Sequence, residues 1–181
     1  MAEQHGHAHA LTADVSVRPS LPEDAPLLGR IQVAAWRAAL SEVLPAEVLA
    51  GLEADRFAAA WRAAIDTPPS AKHRMLTACD GAEVVGFAAL APAPQTQETG
   101  EIVALEVDPA HIRAGHGSRL LAACTDILRA TAASHVRAWA IEGDDARADF
   151  LAAAGMEPLG IRRVLDVPGS RVHELAWSAV L

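Results

Sequence analysis

From residue 15 onward the spacing of apolar side chains switches between two and three-to-four, and each switch marks a new element. Val15 to Arg18 predicts a short strand. Ser20 followed three residues later by Glu23 predicts a capping box with Pro22 in the first turn, opening a helix on Leu27, Leu28, Ile31, Ala35 and Ala38 or Ala39. After Pro45 a second helix is expected to carry Val48, Leu49, Leu52, Phe57, Trp61 and Ile65 until Thr67-Pro68-Pro69-Ser70 stops it. Trp36 and Trp61 read as packing residues. From Arg74 the period becomes two, giving a strand to Cys79, a turn at Asp80-Gly81 and a strand from Glu83 to Leu90, an antiparallel hairpin. A loop through Ala91-Pro92-Ala93-Pro94 and Gln95-Thr96-Gln97 leads to a strand over Glu101–Val107. A glycine turn then opens a helix with Leu120, Leu121, Cys124, Ile127, Leu128 and Thr131 on one face. Val136 to Ile141 is a strand, and Asp144 or Asp145 caps a helix that runs through Phe150 to Ala154 and closes at Gly155. Two last strands, 157–167 and 171–180, join through Pro168-Gly169-Ser170.

Composition sets bounds on this α/β pattern. With 181 residues, 51% of them apolar, the chain suits a single domain over 15–181 with an ample core. Residues 1–14 read as a flexible tail in which His5, His7 and His9 alternate among small and polar residues, a loose arrangement that predicts no metal site. A net charge of -8 and the lack of a basic patch exclude nucleic acid as the expected partner, and an amine substrate suits that charge better. No stretch is long and apolar enough for a membrane span, and no signal peptide is evident, so the expected location is the cytoplasm. Cys79 and Cys124 have neither disulfide nor metal spacing and read as buried thiols.

The most specific chemistry lies where the strand ending at Val107 meets the turn Ile112-Arg113-Ala114-Gly115-His116-Gly117-Ser118. Glycines one residue apart let the backbone approach an anion, and the first amides of the following helix point at it with positive dipole. Leu120 stands where a dinucleotide fingerprint needs its third glycine, and the Gly-Lys-Ser/Thr of a P-loop is missing, so nicotinamide dinucleotides and ATP are not expected. What the run Val107, Pro109, Gly115, Gly117, Ser118, Leu120, Leu121 resembles is motif A of the GNAT acyl-CoA N-acyltransferases, with Ile112 at the usual Gln/Arg position and Arg113 one residue later. Val17-Arg18-Pro19 through Asp24 is similar to the family's opening, and Phe150-Leu151-Ala152-Ala153-Ala154-Gly155-Met156 to its "F-Y-x-x-x-G-F" segment.

That resemblance covers nearly all of residues 15–181 and implies the GNAT fold, a mixed seven-stranded sheet flanked by about four helices, with acetyl-CoA as co-substrate. It implies that Leu105 and Val107 pair with the pantetheine arm where two parallel strands splay. Arg113, Ala114, Gly115, His116, Gly117 and Ser118 would hold the pyrophosphate, with Asp144 and Phe150 completing the coenzyme site. The Val107 amide is the implied partner of the thioester oxygen. The acceptor, a small-molecule or peptide amine, must lose a proton. Of the two candidate bases Glu101 is favoured because a glutamate begins a similar Glu-Ile-Val segment in the histone acetyltransferase branch. Glu106, five residues on, is expected on the opposite face. The family's tyrosine acid is replaced by Leu151, and the chain has no tyrosine, so the thiolate proton would come from water or from Ser118, His116, His111 or His173. Cys124 is disfavoured as an acyl-carrying nucleophile. Two functions follow from the resemblance, an N-acetyltransferase and a catalytically weak acyl-CoA-binding module. The fold is compatible with a homodimer, for which no residue pattern speaks.

Overall fold

The computed structural model describes residues 15–181 apart from Gln95, Gln97, Pro168 and Gly169. The histidines of the tail, part of the 95–97 loop and most of the last turn therefore lie outside the described residues. The strands are β1 (Val15–Pro19), β2 (Arg74–Asp80), β3 (Glu83–Pro92), β4 (Thr99–Val107), β5 (His135–Ile141), β6 (Glu157–Val167) and β7 (Ser170–Val180). The helices are α1 (Ala25–Ala39), α2 (Ala46–Ala50), α3 (Ala54–Asp66), α4 (His116–Ala130) and α5 (Asp145–Ala153). They build one mixed seven-stranded sheet in the order β1-β2-β3-β4-β5-β7-β6. Each neighbouring pair is antiparallel except β4 and β5, which run parallel.

Helices cover both faces, as the long apolar runs of β3 require. On one face α4 lays Leu120, Leu121, Cys124 and Leu128 against Ile102, Leu105, Val136 and Ala138, and Leu151 of α5 joins them. On the other, Leu28 and Ile31 of α1 meet Phe87, with Trp61 of α3 packed alongside. A third cluster joins Val48 and Leu49 of α2 to Ile141, Val167 and Val172.

Two local expectations are corrected. The second helix is two, α2 and α3, because α2 ends at Gly51, whose amide donates to the Glu47 carbonyl, and Glu53 turns extended before α3 starts; the described residues thus form five α-helices. The break lets α3 cross α1 closely at Gly29, where a Cβ would collide with the Ala54 carbonyl. At the start of α1, the Ser20–Glu23 capping box does not form. Asp24 does that work: its buried carboxylate accepts the Leu21 amide at 2.8 Å, the Thr77 hydroxyl at 3.1 Å and both Arg18 guanidinium nitrogens at 2.7 and 2.9 Å. Burial opposes its charge, yet Arg18 and these donors hold the carboxyl below its ordinary range. Ser20 instead shares a hydrogen with Thr77 at 2.8 Å.

Candidate active site

The site follows from the limited pairing of β4 with β5. Their register runs only from Thr99↔His135 to Ile102↔Ala138, after which the strands part. Backbone groups alternate along a strand, and Asp108 donates to Val85 on the β3 side, so Leu105 and Val107 turn theirs into the split. At its mouth stands the glycine turn. Arg113 and Gly115 both adopt left-handed φ, 66° and 83°, which aims the chain back under the first amides of α4. Gly117 closes the approach: a Cβ there would stand 3.5 Å from the Phe150 ring and 3.8 Å from Val107. Gly117, Val107 and Phe150 thus meet at the start of α4, while Asp144, whose carboxylate accepts the Arg147 amide at 3.0 Å, lines the cavity at the split. Arg119, not singled out from sequence, donates to the Ala114 carbonyl at 2.9 Å and adds a second cation to the turn.

A cavity of about 230 Å³ opens at the split and is lined by Trp36, Phe57, Trp61, Trp139, Glu106 and Arg163, among others. Trp36 and Trp61, expected as packing residues, do pack, with Phe57 at 5.8 Å and Phe87 at 5.2 Å between ring centroids, but both also face the cavity. The two glutamates of β4 do not lie on opposite faces. Ala89 of β3 pairs with Ala104 and Leu90 with Ile102, so Val103 is an extra residue, a bulge. One extra residue flips the alternation, and the five-residue separation of Glu101 and Glu106 returns both carboxylates to the α1 side.

Their surroundings differ. Glu101 sits in the paired part of the strand, opposite Arg137 of β5, whose guanidinium is 3.7 Å away. Arg163 of β6 donates to its other oxygen at 3.1 Å. Arg163 also donates to Glu174 at 2.6 Å and stacks 3.9 Å from the centre of the Trp139 ring. Glu106 sits beside the split, accepting Arg147 at 2.9 Å and the Trp36 indole at 3.4 Å. Burial pushes its carboxyl above the ordinary range, with Arg147 opposing the shift.

The other candidates lie elsewhere. His116 is buried with Nε2 3.8 Å from Asp80, and His111 Nε2 is 3.6 Å from Glu83, so both face the β2–β3 turn. Ser118 and His173 are exposed. Cys124 is buried in the core, its thiol pushed up to about 12 by burial. Among the described residues no cluster of three metal-ligating side chains occurs, and no helix is long and apolar enough to cross a membrane.

The profile of the Acetyltransferase (GNAT) family matches residues 35–156, and the chain belongs to that family. It is similar to an uncharacterized N-acetyltransferase of Bacillus subtilis, YuaI, 28% identical over 130 residues that span 71% of this chain and 72% of that protein. In fold it is similar to the PaiA N-acetyltransferase of Thermoplasma acidophilum in complex with coenzyme A. There the TM-score is 0.74 at 16% identity, with 92% of this chain and 99% of that one covered. It is likewise similar to yncA of Salmonella typhimurium with its cofactor acetyl-CoA, with a TM-score of 0.64, 15% identity, and 92% and 94% covered.

Proposed function

We propose that this protein is an acetyl-CoA-dependent N-acetyltransferase acting on a primary amine in the cytoplasm. The observation that carries this reading is the split after Ile102 and Ala138, with the glycine turn at its mouth and a buried glutamate beside an aromatic cavity. The residues present fit the coenzyme. The α4 amides and Arg113 at the turn would hold its pyrophosphate, and the backbone of Leu105 and Val107 its pantetheine arm. Bound acetyl-CoA supplies a thioester whose C–S bond breaks as the C–N bond to the acceptor forms.

The protein's own part is to place the amine, take its proton and stabilise the developing oxyanion. The amide of Val107, turned into the split, is the donor for the oxyanion. Of the two glutamates we favour Glu106 as the base: it lines the cavity and its charge is disfavoured by burial, whereas Glu101 is engaged by two arginines. The tryptophans suit an acceptor with an apolar body, whether small molecule or peptide. None of Ser118, His111, His116 and His173 lines this cavity among the described residues, so solvent is the proton source for the departing thiolate.

The second reading, an acyl-CoA-binding module with little turnover, rests on Leu151, which is buried in the cavity wall where the family carries its acid. The test is to offer the protein acetyl-CoA with polyamines, aminoglycosides, amino acids and peptides and to follow free thiol. Thiol release above the hydrolysis rate with at least one amine supports the enzyme. Coenzyme binding with no amine-dependent release supports the module.

A further inference from the structure

Arg147 is a residue that the acetyl transfer does not call for, yet it occupies the split. It is the third residue of α5, and its backbone amide is fixed by the Asp144 cap. Its side chain, 21% exposed, reaches back between β4 and β5 and donates twice, to the Leu105 carbonyl at 2.6 Å and to Glu106 Oε2 at 2.9 Å. Leu105 is one of the two residues whose backbone groups face the parted strand. An amide-bearing chain laid along β4 needs that carbonyl as an acceptor, and a cation already holds it. A carbonyl has two lone pairs, so what insertion has to clear is the guanidinium itself, which stands in the cavity between Leu105 and the β5 strand.

We propose that Arg147 is a displaceable latch on the coenzyme groove: it ties Leu105 to Glu106 in the free protein, the pantetheine arm takes the Leu105 carbonyl from it, and Glu106 is thereby released to act as base. This rests on the groove reading given under Proposed function. It makes Arg147 a positioning residue and imposes an order, coenzyme before acceptor. The groups facing Glu106 agree with this coupling. From α5 come Arg147 and Asp144, from α1 the Trp36 indole, and on the same face stand Glu101 with Arg163 and Glu174. With Arg147 lifted, Glu106 keeps only the indole hydrogen bond at 3.4 Å and faces the Asp144 carboxylate, so it gains affinity for a proton as the coenzyme seats.

Calorimetric titration with coenzyme A, which cannot turn over, tests this in buffers of different ionisation enthalpy. The proteins are wild type, Arg147→Ala, Glu106→Gln and the double variant Arg147→Ala/Glu106→Gln, in which no buried charge is left without its partner. The expected result is binding about tenfold tighter for Arg147→Ala and for the double variant, the size of one hydrogen bond to a charged group no longer broken on binding. Proton uptake on binding is expected in wild type in mildly acidic buffer and not in Glu106→Gln, and it should fade toward the higher pH of turnover, where Glu106 stays ionised and can act as base. Equal or weaker binding by the double variant, or no proton uptake in wild type in the acidic buffer, overturns the latch; weaker binding would make Arg147 a coenzyme ligand. Failure of all four folded proteins to bind coenzyme A would instead remove the groove reading itself.

Discussion

The two ends of β4 carry one buried glutamate each on the same face, and what surrounds each is different. At the paired end, Glu101 lies in register with Arg137 and is held by Arg163, which Glu174 and Trp139 hold in turn. Four strands, β4, β5, β6 and β7, are linked there by charge, an arrangement that fixes β6 against the sheet. At the splayed end, Glu106 has one arginine, and that arginine divides itself between the carboxylate and a backbone carbonyl that no strand claims. Between them the Val103 bulge turns the face over and marks where pairing with β5 stops. The carboxylate faced by two arginines suits a place in the fold, and the one that shares a single arginine beside a cavity is the candidate for chemistry.

The comparison breaks first on rates. Glu106→Gln is expected to lower amine-dependent thiol release by roughly 10²- to 10⁴-fold while the protein still binds acetyl-CoA, because the residue acts on the acceptor's proton. Steady-state kinetics with the best amine of the panel measures it. Glu101→Gln is expected to act on stability instead. It takes the charge from a buried carboxylate that faces two arginines, at a cost of about 1–3 kcal/mol, or roughly 3–10 °C in Tm by calorimetry, with kcat little changed. Arg18 and Asp24 form a second structural pair at the far edge of the sheet. The lowered folded pKa of Asp24 contributes stability that is full above the unfolded value of about 3.9 and is lost as pH falls through the folded value. Asp24→Asn should therefore cost roughly 2–4 kcal/mol at neutral pH, and the gap from wild type should narrow in acid melts. The smallest effect belongs to Cys124. With its thiol pushed up to about 12, Cys124→Ser should leave turnover intact, and iodoacetamide should label the wild-type residue only on unfolding.

Much of this was legible in the residues. The alternation of period two and the helical stripes placed all seven strands, and the glycine turn announced itself because few sequences put two glycines between a strand and an amphipathic helix. The split of α2 from α3 was not, because Leu52 continues the apolar stripe and no proline interrupts it. Its side chain is buried in the cluster under Leu49 although the backbone there has left the helix. Val103 was equally silent: a valine in a strand reads the same paired or bulged, and only the register with β3 reveals it. That one residue decides which carboxylates share a face. Asp24 was hidden by Ser20 and Glu23, a stronger local capping signal that lost to a buried network reaching across to β2. Arg147 carried one readable hint, its position three residues after a capping aspartate, where a long side chain points back toward the strand ends.

The most direct test of the division between the two glutamates is the pH dependence of kcat/KM for thiol release in wild type, Glu101→Gln and Glu106→Gln. Beyond the limb set by the amine's own deprotonation, which all three share, wild type should show an acid limb displaced above the ordinary glutamate value of about 4.3, in keeping with the burial of Glu106. That limb should persist in Glu101→Gln and vanish in Glu106→Gln. An acid limb that survives in Glu106→Gln and disappears in Glu101→Gln would contradict the account.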